Sequence, residues 1–124
     1  MITIYHNPRC SKSRETLALL EQLSSEKNLP LEVVDYQKSA LDTEQLRQLH
    51  LQLGGQLRSM LRDNESEYAE LNLSQADDET LLAAVASHPR LLQRPIVSYQ
   101  GKAAIGRPPE LVLSLFEENT KVTL

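Results

Sequence analysis

The sequence predicts an α/β fold in which a β-α-β unit and a later β-β-α unit share one four-stranded mixed sheet, with a helical insertion between them. Three observations lead there. Two short apolar runs, Ile2–Tyr5 and Leu31–Asp35, flank a segment whose leucines recur at helical spacing. Residues 42–90 carry leucines at helical intervals and no strand signal. The segment after Arg94 reads as strand, glycine turn, strand and helix.

Each element has its own justification. Ile2 to Tyr5 is short, β-branched and aromatic, as buried strands are. His6-Asn7-Pro8-Arg9-Cys10 follows as a loop, because Pro8 has no N–H to donate and restricts Asn7. From Ser11 to about Lys27, Leu17, Leu20 and Leu23 mark a helix, which Asn28-Leu29-Pro30 ends. Leu31–Asp35 is the second strand, and the short joints make the two strands parallel with a right-handed crossover. Asp42 to Leu53 carries Leu46, Leu49 and Leu53 on one face, with Asp42 or Thr43 as N-cap and Gly54-Gly55 as breaker. A second helical piece runs through Leu57, Met60 and Leu61, and Asp63-Asn64-Glu65-Ser66 is polar and turn-like. A helix of about Asp78 to Ser87 follows, with Asp77-Asp78-Glu79 as its acidic start. His88-Pro89 closes it. Pro95–Tyr99 and Ala103–Ile105 form a hairpin around Gln100-Gly101-Lys102. Pro108-Pro109 opens a final helix through Leu111, Val112, Leu115 and Phe116, and the tail Glu117–Leu124 is expected to fray. This order is the thioredoxin-like plan, as one domain over residues 1–124 with the insertion at about 42–90.

Composition narrows the function. A net charge of −4 argues against a general nucleic-acid binder, which needs a basic face to neutralise phosphates. No apolar run approaches the ~20 residues of a membrane span. The single cysteine excludes an internal disulfide framework and a zinc site built on several thiolates. His50 and His88 stand alone without ligand spacing, so no metal is assigned. The N-terminus lacks the pattern of a signal peptide, and a cytoplasmic protein with a reduced thiol is expected.

Cys10 is the residue that carries chemistry. It sits after a strand and at the start of a helix, where unpaired N–H groups and the helix dipole favour an anion. A thiol there is expected to be largely thiolate near neutral pH, with Lys12 and Arg14 adding positive charge. Ser13 stands where a dithiol motif has its second cysteine. Any oxidised or covalently modified Cys10 must therefore be resolved by an outside thiol, for which glutathione or a thiol-redox protein is the obvious supplier. Phosphatase-loop chemistry is rejected because Thr16 occupies the place of its arginine. Arg62, Arg94 and Arg107 stand at element boundaries, and guanidinium is the preferred bidentate partner of a tetrahedral oxyanion. Read singly, each is as easily solvated surface charge. His6 could tune the charge of Cys10, Ser11 and Ser13 could bond the thiolate or cap the helix, and Pro95 could shape the neighbouring loop.

The segment Ile4-Tyr5-His6-Asn7-Pro8-Arg9-Cys10-Ser11-Lys12-Ser13-Arg14-Glu15-Thr16-Leu17 resembles the opening of the ArsC family, the glutaredoxin-dependent arsenate reductases. Met60-Leu61-Arg62-Asp63-Asn64, Gln93-Arg94-Pro95-Ile96-Val97 and Ile105-Gly106-Arg107-Pro108-Pro109-Glu110 resemble its later blocks, in the right order. The likeness is nearest to the YfgD-like branch, which shares the Asn-Pro-Arg-Cys-Ser-Lys-Ser-Arg signature. The resemblance implies a thioredoxin-like sheet with a helical insertion and Cys10 as nucleophile. It further implies that Arg62, Arg94 and Arg107 bind the oxyanion, that Pro95 is a cis-proline and that His6 is the histidine near the cysteine. In the family scheme the thiolate attacks arsenate and water leaves. Glutathione then attacks the adduct, and glutaredoxin reduces the resulting mixed disulfide as arsenite is released. No bound cofactor is implied; glutathione is a co-substrate. Plasmid-type members differ, with Gly-Thr at Ser11-Lys12 and Ala at Arg9.

Two other functions fit parts of the sequence. A monothiol glutathione-linked oxidoreductase would use Cys10 without arsenate, and an Spx-like regulator would use the fold to bind RNA polymerase. Ser13 breaks the Cys-x-x-Cys pair usual in oxidant-sensing Spx-like proteins. Iron–sulfur binding of the monothiol glutaredoxin kind matches only the Cys-x-x-Ser spacing.

Overall fold

The computed structural model describes residues 1–116, so the tail Glu117–Leu124 lies outside the described residues. Strand β1 spans Ile2–His6, helix α1 Ser11–Lys27, and β2 Leu31–Asp35. The insertion holds α2 (Thr43–Leu53), α3 (Ser66–Glu70) and α4 (Asp78–Ser87). Strands β3 (Ile96–Tyr99) and β4 (Lys102–Ile105) follow. The sheet order is β2-β1-β3-β4. β1 and β2 are parallel, with Ile4 opposite Val33; β1–β3 and β3–β4 are antiparallel, with Ile4 opposite Val97 and Val97 opposite Ala104. This is the expected four-stranded mixed sheet of the thioredoxin-like plan.

That register divides the core in two, because strand side chains alternate between faces. Ile2, Ile4 and Val97 are fully buried on one face against Leu20 of α1 and Val112 of the C-terminal segment. On the other, Ile96 packs into the insertion, among Tyr36, Leu46, Leu49, Leu81 and Leu92. The insertion is thus the second wall of the sheet.

Helix α1 buries Ser13, Thr16 and Leu20, while Leu17 and Leu23 are only half-buried. The leucine stripe expected from the sequence is therefore rotated in the fold. The two polar residues of the buried row lie in the helix's first half, beneath the loop that carries Cys10. At the other end Asn28 takes the left-handed conformation, φ 53°, and its N–H reaches the Ser24 carbonyl. In α2 the Asp42 carboxylate accepts from the Gln45 N–H at 2.8 Å, and the Gln45 side chain accepts from the Asp42 N–H at 2.9 Å, a reciprocal capping box. The β3–β4 hairpin turns on Gln100 and Gly101, both at positive φ, as a two-residue turn with right-handed strand twist requires.

Three elements differ from expectation. The C-terminal helix is a 3₁₀-helix, Pro109–Phe116. Its i to i+3 repeat stacks Pro109, Val112 and Leu115 in one row, and the first two of these are buried. Second, the turn-like stretch after Asp63 leads straight into α3, a short helix with no buried residue and hence no apolar stripe to announce it. Third, the insertion contains a bridge where no strand was expected. Leu61 pairs antiparallel with Leu92, the Arg62 N–H donates to the Leu91 carbonyl and the Gln93 N–H to the Met60 carbonyl, each at 2.7 Å. This bridge sets the segment of Arg62 beside the segment of Arg94.

Gly106 follows β4 and is needed for room, not for its backbone. A Cβ there would lie 2.7 Å from Thr16 Oγ1 and 3.0 Å from Pro95 Cγ. Thr16 is fully buried and bonds the Lys12 carbonyl at 2.8 Å, so it cannot swing aside. Gly106→Ala is expected to destabilise the fold by about 1–3 kcal/mol, the usual range for overpacking. A lowered urea midpoint with an unchanged slope would show it; an unchanged midpoint would mean that the contact yields.

Candidate active site

The loop between β1 and α1 is held by its own polar groups. The Asn7 carbonyl accepts from the Cys10 N–H and its Oδ1 accepts from the Arg9 N–H, both at 3.0 Å, which closes the turn around Pro8. The Asn7 N–H donates to Ser13 Oγ at 3.0 Å, and His6 Nδ1 lies 2.7 Å from the same oxygen. His6, Asn7 and Ser13 are all buried. Ser13 therefore ties the helix back onto the loop with its hydroxyl and leaves only its N–H facing the sulfur. Of the two roles open to it in the sequence, bonding the thiolate through its side chain is not the one the structure shows.

Cys10 takes the N-cap position, with φ −98° and ψ 124°, and its carbonyl accepts the first helical bond, from the Arg14 N–H. Its sulfur makes no closed capping bond but lies in the field of the first-turn N–H groups. Burial pushes the thiol up. The N–H groups of Ser13 and Lys12 and the guanidinium groups of Arg107 and Arg94 pull it down further, and the net shift is below the ordinary value. Arg107 Nη1 is 3.7 Å from Sγ and donates also to the Arg94 carbonyl at 3.2 Å. Lys12 and Arg14 supply no such contact. The Lys12 ammonium pairs with Glu15 at 3.7 Å and Arg14 donates to the Pro8 carbonyl at 3.0 Å. The cations that act on the sulfur come from distant segments instead.

His6 is pushed below the ordinary imidazole value, first by burial and then by Arg14, against opposing pulls from Asp35 and Glu21. It is a neutral ring bonded to Ser13, positioned beneath the cysteine loop without touching the sulfur.

The three arginines form one connected group. Arg107 reaches Arg94 through the Arg94 carbonyl, and Arg94 and Arg62 meet at Glu65. Glu65 Oε2 lies 3.2 Å from Arg62 Nε and 3.8 Å from Arg94 Nη2, while Oε1 lies 3.2 Å from Arg90 Nη2. Glu65, Arg62 and Arg94 have side chains only 12–14% exposed, so this carboxylate offsets cations that are largely out of water. Pro95 is cis, as is Pro108, and Pro95 packs beside Gly106.

Sequence reasoning did not identify Glu65, Tyr36 or the turn-closing role of Asn7. The spacing Arg62-x-x-Glu65 was visible, but in a polar stretch it reads equally as solvated turn. Among the described residues no cluster of His, Cys, Asp and Glu could hold a metal ion, and no helix is long and apolar enough to cross a membrane. The chemistry that fits this arrangement is nucleophilic attack on a bound oxyanion. A low-pKa thiol stands at a helix N-terminus, faced by guanidinium groups that can take a tetrahedral anion.

Known proteins resemble this chain in sequence and in fold. The model of the ArsC family matches residues 5–115. The uncharacterized protein YfgD of Escherichia coli (strain K12) is 48% identical over 117 residues, covering 92% of this chain and 95% of its own. An arsenate reductase of Neisseria meningitidis serogroup A is 46% identical over 112 residues, covering 88% of this chain and 92% of its own. The solved structure of an arsenate reductase from Vibrio cholerae superposes with a TM-score of 0.84 at 48% identity, covering 92% of this chain and 96% of that one.

Proposed function

This chain belongs to the ArsC family, and from that membership we propose that it is an arsenate reductase working through Cys10. The observation that carries the reading is the cysteine at the head of α1 with the Arg107 guanidinium 3.7 Å from its sulfur. Arsenate, or a similar oxyanion, binds across Arg107, Arg94 and Arg62. The thiolate attacks arsenic, a sulfur–arsenic bond forms, and an arsenate oxygen leaves as water. Glutathione supplies the second sulfur, two thiols give up two electrons to form a disulfide, and arsenic leaves as arsenite. Glutaredoxin then reduces the mixed disulfide, because the sequence holds no second cysteine to do so. Glutathione enters as a co-substrate and no resident cofactor takes part. Such a cycle belongs in a thiol-reducing compartment, the cytoplasm.

The test is arsenate-dependent NADPH oxidation in the presence of glutathione, glutathione reductase and glutaredoxin. Turnover that requires both arsenate and glutaredoxin is the expected result. Activity on glutathione mixed disulfides with no response to arsenate would instead identify a monothiol oxidoreductase.

A further inference from the structure

Among the described residues, only two buried side-chain nitrogen or oxygen atoms find no hydrogen-bond partner, the Tyr36 hydroxyl and Arg94 Nε. Tyr36 is 1% exposed and follows directly on β2. The last residue of that strand, Asp35, pairs with His6, so Tyr36 leaves the sheet at the same edge as the cysteine loop. Its ring packs in the insertion core with Leu92, two residues before Arg94. Leaving a buried hydroxyl unpaired costs about 1–3 kcal/mol, and Nε–H can only donate. Neither atom closes a hydrogen bond, although the Gln37 and Arg94 side chains lie near the phenol oxygen. The Glu65 carboxylate approaches Arg94 only at Nη2, 3.8 Å away, and leaves Nε free of it.

We propose that the Tyr36 hydroxyl is a further donor of the oxyanion site, joining Arg94, whose unpaired Nε turns to the same tetrahedral anion held at Cys10. This inference rests on the reductase reading and deepens it. Burial pushes the Tyr36 phenol up, while Arg94 beside it works in the opposite direction and the Cys10 sulfur adds to the rise. The net direction is upward, so Tyr36 keeps its proton as a donor at neutral pH. An arsenate oxygen supplies the acceptor that the ligand-free chain does not offer, without any proton leaving the tyrosine.

The experiment compares wild type with Tyr36→Phe, which removes one oxygen and keeps the ring in its packing. In urea titrations without anion the variant is expected to be as stable as wild type or more so, since an unpaired buried group is gone. Its KM for arsenate is expected to rise about tenfold, as for loss of a hydrogen bond to a charged ligand. The stabilisation of the fold by added arsenate shrinks in parallel. In wild type, arsenate shifts the tyrosine absorption spectrum, and most of that shift is lost in the variant. Lower stability of Tyr36→Phe with KM unchanged would make the hydroxyl purely structural and overturn the inference, as would an arsenate-insensitive tyrosine spectrum in an active wild type. A wild type neither stabilised nor turned over by arsenate overturns the reductase reading, and this inference with it.

Discussion

Cys10→Ser is expected to abolish arsenate-dependent NADPH oxidation, by about 10³-fold or more, as for loss of a nucleophile that no other group can replace. Two features of the structure make the effect large. The sequence has a single cysteine, so no neighbouring thiol can take over. The groups around Cys10 are also arranged for a charge that a serine hydroxyl does not carry at neutral pH: the Ser13 and Lys12 N–H groups, Arg107 and Arg94. Serine should preserve the fold, because the Cys10 side chain makes no capping bond that holds the helix. A urea midpoint near that of wild type would accompany the loss. In wild type, the rate of alkylation by iodoacetamide should rise with pH through a midpoint below that of a free thiol. The sign follows from the lowered pKa, since the thiolate that reacts is already formed at lower pH and disappears only as pH falls through that value. Normal turnover by Cys10→Ser would place the chemistry elsewhere.

How much of the fold and the site is legible in the sequence depends on whether the signal is local. The bounds of α1, β2 and α4 follow from breakers and apolar spacing within each segment, and the structure places them at Ser11–Lys27, Leu31–Asp35 and Asp78–Ser87. Cys10 at a helix start is a local pattern too. The convergence of Arg62 with Arg94 is not, because it depends on the Leu61–Leu92 bridge, which joins two segments that each look irregular. Glu65 looks like any charged turn residue until the fold gathers three arginines around it. Tyr36 follows the second strand with no local pattern to single it out, and only its unpaired hydroxyl in the folded chain marks it out. The rotated face of α1 has a similar cause. Ser13 and Thr16 are buried because they bond the loop and the helix backbone, which a hydrophobic pattern does not register.

Arg107→Ala is expected to have the second largest effect, lowering kcat/KM for arsenate by about 10- to 100-fold. Arg107 Nη1 serves two acceptors, Cys10 Sγ at 3.7 Å and the Arg94 carbonyl at 3.2 Å. Its loss removes one charge-assisted bond to the thiolate and, in the proposed reaction, one cationic contact to the anion. The two losses separate experimentally. Without the guanidinium the thiol is less acidic, so the midpoint of alkylation against pH moves upward, independent of any substrate. The arsenate KM rises as a distinct effect. Arg107→Lys retains the charge but not the planar fork, so it should recover part of the shift in thiol acidity and little of the KM. Arg107 is exposed, and its removal leaves no buried cavity, so stability should change little. An alkylation profile identical to that of wild type would show that the contact with sulfur carries no charge stabilisation. The acidity of Cys10 would then rest on the helix N-terminus and Arg94.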